Sequence, residues 1–112
     1  MKVEYEFFVA DTGDWTPTEQ AGVAERVLSR DSGDPQMLTR LARWAPGVDT
    51  SAAGVIVHDY VEEVYLLKGE LHDLTLGRTF REGEFAMRRP GMRHGPYRTD
   101  TGCVMLETRY RQ

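Results

Sequence analysis

Punctuation constrains this chain more than any apolar run does. Turn signals recur at short intervals: Asp11-Thr12-Gly13-Asp14, Asp31-Ser32-Gly33-Asp34-Pro35, Ala45-Pro46-Gly47, Lys68-Gly69, Glu82-Gly83, Arg89-Pro90-Gly91 and Asp100-Thr101-Gly102. Between them lie short runs rich in Val, Leu, Tyr, Phe and Thr, at Val3–Val9, Met37–Trp44, Val55–Tyr60, Glu63–Leu67, Leu71–Leu76, Phe85–Arg88 and Cys103–Tyr110. Several alternate with period two, as in Leu38-Thr39-Arg40-Leu41-Ala42-Arg43-Trp44. Many short strands at regular turn spacing predict an all-β sandwich or barrel. One stretch pulls the other way, since Thr16-Pro17-Thr18-Glu19 has the residues of a helix start. Gly22, Val23 and Val27 oppose continuing it, so the expectation is a turn or single helical turn at 16–20 and a strand over 23–29.

The length of 112 residues fits one compact domain spanning 1–112. Lys plus Arg total 14 against 18 Asp plus Glu, a net charge of −4 that argues against a phosphate backbone as main ligand. No apolar run approaches bilayer length, and Met1-Lys2-Val3-Glu4-Tyr5-Glu6 breaks its apolar residues with carboxylates, unlike a signal peptide. Cys103 is the only cysteine, which excludes an intrachain disulfide and a thiolate zinc cluster. These features predict a cytoplasmic protein with neither nucleic acid nor membrane as partner.

The chemistry concentrates around His58 and His94. In His58-Asp59-Tyr60-Val61-Glu62-Glu63-Val64-Tyr65-Leu66, strand alternation puts Glu62 on the face of Val64 and Leu66, and Glu63 on the other. Glu62 therefore points into the core, where an unneutralised carboxylate is costly. No basic residue stands nearby in sequence, so a metal ion shared with histidines is the economical solution. Downstream, Gly83 and Pro90-Gly91 permit turns that fold His94 back towards the first segment.

These residues resemble the two motifs of the cupin superfamily. His58, three residues, Glu62, six residues and Gly69 match the first motif from its second histidine onward, with Ile56 in place of the first histidine. Gly83, Gly91 and His94 fall in register with the second motif, while Arg89, Pro90 and Arg98 depart from it. The flanks, Arg40 to Gly47 and His94 to Cys103, are similar to the cupin domains of zinc-bound anti-sigma factors and acetylacetone-cleaving dioxygenases. The resemblance implies a small jelly-roll β-barrel (a double-stranded β-helix) and a metal held by His58, Glu62 and His94. Two histidines and one carboxylate suit Fe(II), which is favoured, while zinc, manganese and nickel accept the same donors. A degenerate, metal-free cupin is the competing reading, because Ile56 cannot coordinate.

The expected activity is metal-dependent chemistry on a small organic molecule, foremost an Fe(II) dioxygenase on a β-dicarbonyl-like or aromatic ketone substrate. Tyr60 and Tyr97 flank the ligands and are candidates to orient substrate or move a proton. The alternatives are a stand-alone ligand-binding or sensing cupin, with no room for a separate sigma-binding domain, or an isomerase, cyclase or lyase on the same scaffold. His72 reads as structural or rim, Glu63 as exposed, and Arg88, Arg89, Arg93 and Arg98 as a solvated rim unless one turns inward. Phe85, Met87, Met105, Leu106 and Cys103 read as core. The apolar N-terminal strand suggests pairing through a sheet edge into a homodimer.

Overall fold

A computed structural model describes residues Met1–Gln112. The strands are β1 (Thr16–Pro17), β2 (Val23–Arg30), β3 (Leu38–Trp44), β4 (Val61–Asp73), β5 (Arg78–Arg81), β6 (Phe85–Arg88), β7 (Tyr97–Arg98) and β8 (Cys103–Tyr110). One 3₁₀ turn spans Ser51–Ala53, and no helix is long and apolar enough to cross a membrane. All pairings are antiparallel, in the order β1-β2-β3-β8-β4-β5, with β6 and β7 also on β4. The sheet is not hydrogen-bonded into a closed barrel. It folds over itself as a jelly roll.

Strand β4 makes that fold. Its first part, Val61 to Gly69, lies between β8 and β6, whereas Glu70 to Asp73 pair with β5 and β7. Register slips between Leu66 and Lys68, the kind of irregularity by which a strand turns a corner from one sheet to the next. Gly69 follows with φ +84°, and a Cβ there would overlap the Gly102 carbonyl. Only glycine allows that approach. The expected turn at Lys68-Gly69 is thus a bend within one strand, and the two runs flanking it are a single element.

Alternation along β4 and β8 buries Val64, Leu66, Leu71, Cys103 and Met105 around Tyr97, with Trp44, Phe80 and Ala86 against them. Full burial of each such aliphatic is worth roughly 1.5–3 kcal/mol. Other expectations need correction. Phe85 and Met87 are exposed, because β6 turns its odd residues outward, and Leu106 is only half-buried. Val55–Tyr60 forms a single bridge at Ile56 instead of a strand, and Val3–Val9 forms none. Thr16–Pro17 is a short strand, and the Thr18 hydroxyl accepts from the Gln20 amide at 3.2 Å to shape the turn that follows.

Candidate metal centre

Backbone pairing brings the two histidine segments together. Ile56 and His94 exchange hydrogen bonds of 2.7 and 3.0 Å, and the Gly91 amide donates to the His58 carbonyl at 2.9 Å. His58, Glu62 and His94 each then offer a ligand atom, all within 4.8 Å of one another. His58 Nε2 lies 3.8 Å from Glu62 Oε1. As strand parity requires, Glu62 is buried and Glu63 only half-buried.

Glu62 has company that the sequence concealed. Arg88 Nη1 donates to its Oε1 at 2.9 Å and Arg109 Nε to its Oε2 at 3.0 Å. Both arginines stand directly opposite Glu62, on β6 and β8. Arg88 is therefore no rim residue, and the premise that no base neutralises Glu62 is overturned. The pairing extends further: Arg109 approaches Glu107 at 3.7 Å, Arg40 donates to Glu107 at 2.6 Å, and Arg40 also reaches Glu25 at 2.6 Å. Three carboxylates and three guanidiniums thus alternate across five strands. Arg89, Arg93 and Arg98 remain exposed, as expected of a rim.

Protonation states suit metal binding. Burial pushes the Glu62 carboxyl up, but Arg88, Arg109 and His58 together hold it below its ordinary value. Burial lowers the His58 imidazole, and burial followed by Arg88 takes His94 down to about 4. At neutral pH the cluster is one carboxylate and two neutral imidazoles, the forms that ligate.

The His94 ring supplies the deciding observation. Its Nδ1 lies 3.0 Å from the Tyr97 hydroxyl, whereas its Nε2 is buried with no partner. With the proton on Nδ1 donated to Tyr97, Nε2 keeps a free lone pair, as in histidines that ligate metals. Each Glu62 oxygen also retains a lone pair beyond its arginine bond. The residues present therefore fit a divalent ion. Tyr60 stacks on His58 with ring centroids 4.5 Å apart and planes at 13°, and Arg109 lies over the other ring, 5.5 Å from the Tyr60 centroid. The Tyr97 hydroxyl accepts from Arg88 Nη2 at 2.8 Å, and burial holds its phenol up at about 12.

His94, Tyr97 and Arg88 line a cavity of about 130 Å³, whose walls are otherwise mostly apolar, including Leu66, Phe80 and Met105. Ile56 is paired with His94, so their side chains share a face; it lines a separate groove with Arg109 and Arg40. His72 is elsewhere, with Glu70 and Asp100.

The profile of the ChrR cupin-like domain matches residues 6–110. Solved structures of the same shape include an acetylacetone dioxygenase from Acinetobacter johnsonii, 17% identical over 95% of this chain and 73% of that one, at TM-score 0.71. The anti-sigma ChrR of Rhodobacter sphaeroides, in complex with SigE, is 21% identical over 87% of this chain and 49% of that one, at TM-score 0.65. The polyketide cyclase RemF of Streptomyces resistomycificus is 17% identical over 95% of this chain and 80% of that one, at TM-score 0.68. At these identities the likeness shows the fold. No curated protein sequence matches the chain.

Proposed function

The chain belongs to the ChrR cupin-like domain family, and from that premise we propose that it is a metal-dependent cupin acting on a small organic molecule, as an Fe(II) dioxygenase of β-dicarbonyl-like or aromatic ketone compounds. The observation that carries this reading is the buried, unpartnered Nε2 of His94, on a ring that also lines an apolar cavity. His58, Glu62 and His94 would hold the ion, with Fe(II) favoured and zinc, manganese or nickel accepted by the same donors. When bound, such an ion supplies Lewis acidity toward substrate oxygens and, as Fe(II), reactivity toward dioxygen.

The chain's own residues do the rest. Arg88 bonds Glu62 and Tyr97 and still has N–H groups to spare, suited to an enolate or carboxylate oxygen. Tyr97 stays a hydroxyl at neutral pH, able to orient a substrate oxygen in the cavity that it lines. Tyr60 packs against His58 and keeps that ring in place. The walls are mostly apolar, and about 130 Å³ suits a ligand of one ring or a short diketone, since an engineered apolar cavity of about 150 Å³ admits benzene. The likeness to an acetylacetone dioxygenase supports the same substrate class.

A second reading is a ligand-binding or sensing module. It is favoured by the anti-sigma likeness and by Arg88 and Arg109, which neutralise Glu62 without any metal. Anaerobic loading with Fe(II), followed by oxygen-electrode assays with acetylacetone and an aryl β-diketone, separates the two. The enzyme reading expects dioxygen uptake matched by loss of substrate. A ligand that raises the melting temperature with no oxygen uptake would establish the binding module instead.

A further inference from the structure

The cavity beside His94 has a polar inner end and an apolar mouth. Arg88, Tyr97 and His94 stand on its wall, joined by hydrogen bonds at the Tyr97 hydroxyl. Leu76, Phe85 and Met92 belong to the same wall, yet are 61%, 58% and 48% exposed, which puts them at the mouth. They come from three separate segments: the turn between β4 and β5, the start of β6, and the turn leading into His94. Single exposed apolar side chains are ordinary. Three converging on the rim of one cavity form a patch, and such patches mark contact surfaces.

This collar is tied to the segments that carry the histidines. Asp73 Oδ1 accepts from the Thr75 and Leu76 amides at 3.0 and 2.9 Å, and the Thr75 hydroxyl donates to the Gly95 carbonyl at 2.7 Å. On the other side the Met92 amide donates to the Arg89 carbonyl at 3.1 Å, and the Gly91 amide holds the His58 carbonyl. Leu76 and Met92 are thus presented by anchored turns. Volume limits what lies inside. An apolar cavity of about 150 Å³ admits benzene, so about 130 Å³ is filled by roughly six carbons. Anything longer must emerge over the collar.

We propose that the substrate carries an apolar tail longer than the cavity, with its oxygen-bearing head at Arg88, Tyr97 and His94 and its tail leaving across Leu76 and Met92. The inference rests on the cavity being the substrate site, and makes Leu76 and Met92 the residues that set tail-length preference. Continuity argues for this occupant. The collar is the outer part of the same wall that encloses the head, so one molecule covers both. The charged side chains of the wall do not compete for a polar tail: Asp73 is spent on turn amides, Glu84 accepts from the Arg81 amide, and Arg88 holds Glu62 and Tyr97.

Calorimetric binding to the wild type and to Leu76→Ser/Met92→Ser tests this without any turnover. The probes are acetylacetone and its homologues with one methyl extended to propyl or hexyl, on anaerobic Fe(II)-loaded protein. Straight-chain alcohols from pentanol to decanol, on metal-free protein, read the tail site without the diketone head. Affinity is expected to rise about fourfold per methylene until the cavity is full, and about twofold per methylene beyond. The double variant, altered only at exposed positions, keeps its fold and its affinity for acetylacetone, and binds the hexyl homologue and decanol about tenfold more weakly. Alcohols that show this loss while no diketone binds would refute the diketone reading and uphold the tail site. Affinity that stops rising at about six carbons, or a variant that binds the long probes as the wild type does, would overturn the proposal. So would a variant that changes only its sedimentation, since the collar would then be a subunit contact.

Discussion

Strand β4 carries two clusters of the same residue types, and they behave differently. Glu62 meets His58 and His94 inside the fold; Glu70 and His72 meet Asp100 near the surface. In the outer cluster both ring nitrogens are hydrogen-bonded, His72 Nδ1 with Thr79 at 2.7 Å and Nε2 with Asp100 at 3.1 Å, while Glu70 Oε2 lies 2.8 Å from Nε2, buried and without a hydrogen bond. Glu70 Oε1 accepts from Thr101, Thr99 and Asp100. This is a knot tying β4 to the turn before β8. The inner cluster leaves a buried imidazole nitrogen free and adjoins a cavity. Ligand-type residues gather in both places; only the inner cluster combines an unused imidazole nitrogen with an adjoining cavity, the combination on which the proposed metal site rests.

The sharpest way to break this contrast is Glu62→Ala. It leaves Arg88 and Arg109 without their shared carboxylate in a buried setting, so a destabilisation of about 3–5 kcal/mol is expected in urea unfolding, together with loss of metal. Glu63→Ala, on the other face, should leave both unchanged. A stable Glu62→Ala protein that keeps its metal would assign the wrong carboxylate.

Next comes Ile56→His. Residue 56 is paired with His94, so an added imidazole joins the inner donor set, and metal affinity should rise about tenfold in competition titrations. Unchanged affinity in the folded variant would place residue 56 outside the coordination sphere.

The smallest effect belongs to the outer knot. Burial pushes the Glu70 carboxyl up, but the Thr101 amide and hydroxyl, the Thr99 hydroxyl and the Asp100 amide outweigh it and hold it near about 2. A pKa depressed in the folded state stabilises above the unfolded value near 4.5, and that contribution disappears as pH falls towards 2. Glu70→Gln should therefore flatten the stability profile between those pH values while leaving metal affinity at neutral pH untouched. A loss of metal in that variant would erase the distinction between the two clusters.

What was legible in the sequence followed from local rules. Period-two alternation put Glu62 inside and Glu63 outside, because it depends on chain geometry over a few residues, whereas the grouping of His58 and Glu62 with His94 was legible only through the resemblance to the two cupin motifs. The partners of Glu62 were invisible for the opposite reason: Arg88 and Arg109 are 26 and 47 positions away, joined to it only through sheet register. Gly69 carried a real signal with two meanings, turn or bend, and the backbone of Gly102 decides between them. The N-terminal run has strand composition but no neighbouring edge within its own chain that it occupies.

Calorimetric titration with a divalent ion under anaerobic conditions, on the wild type and His94→Ala side by side, tests the central claim most directly. With circular dichroism showing both folded, the account predicts one ion per wild-type chain and none in His94→Ala. Equal stoichiometric binding by both proteins, or none by the wild type, would contradict it.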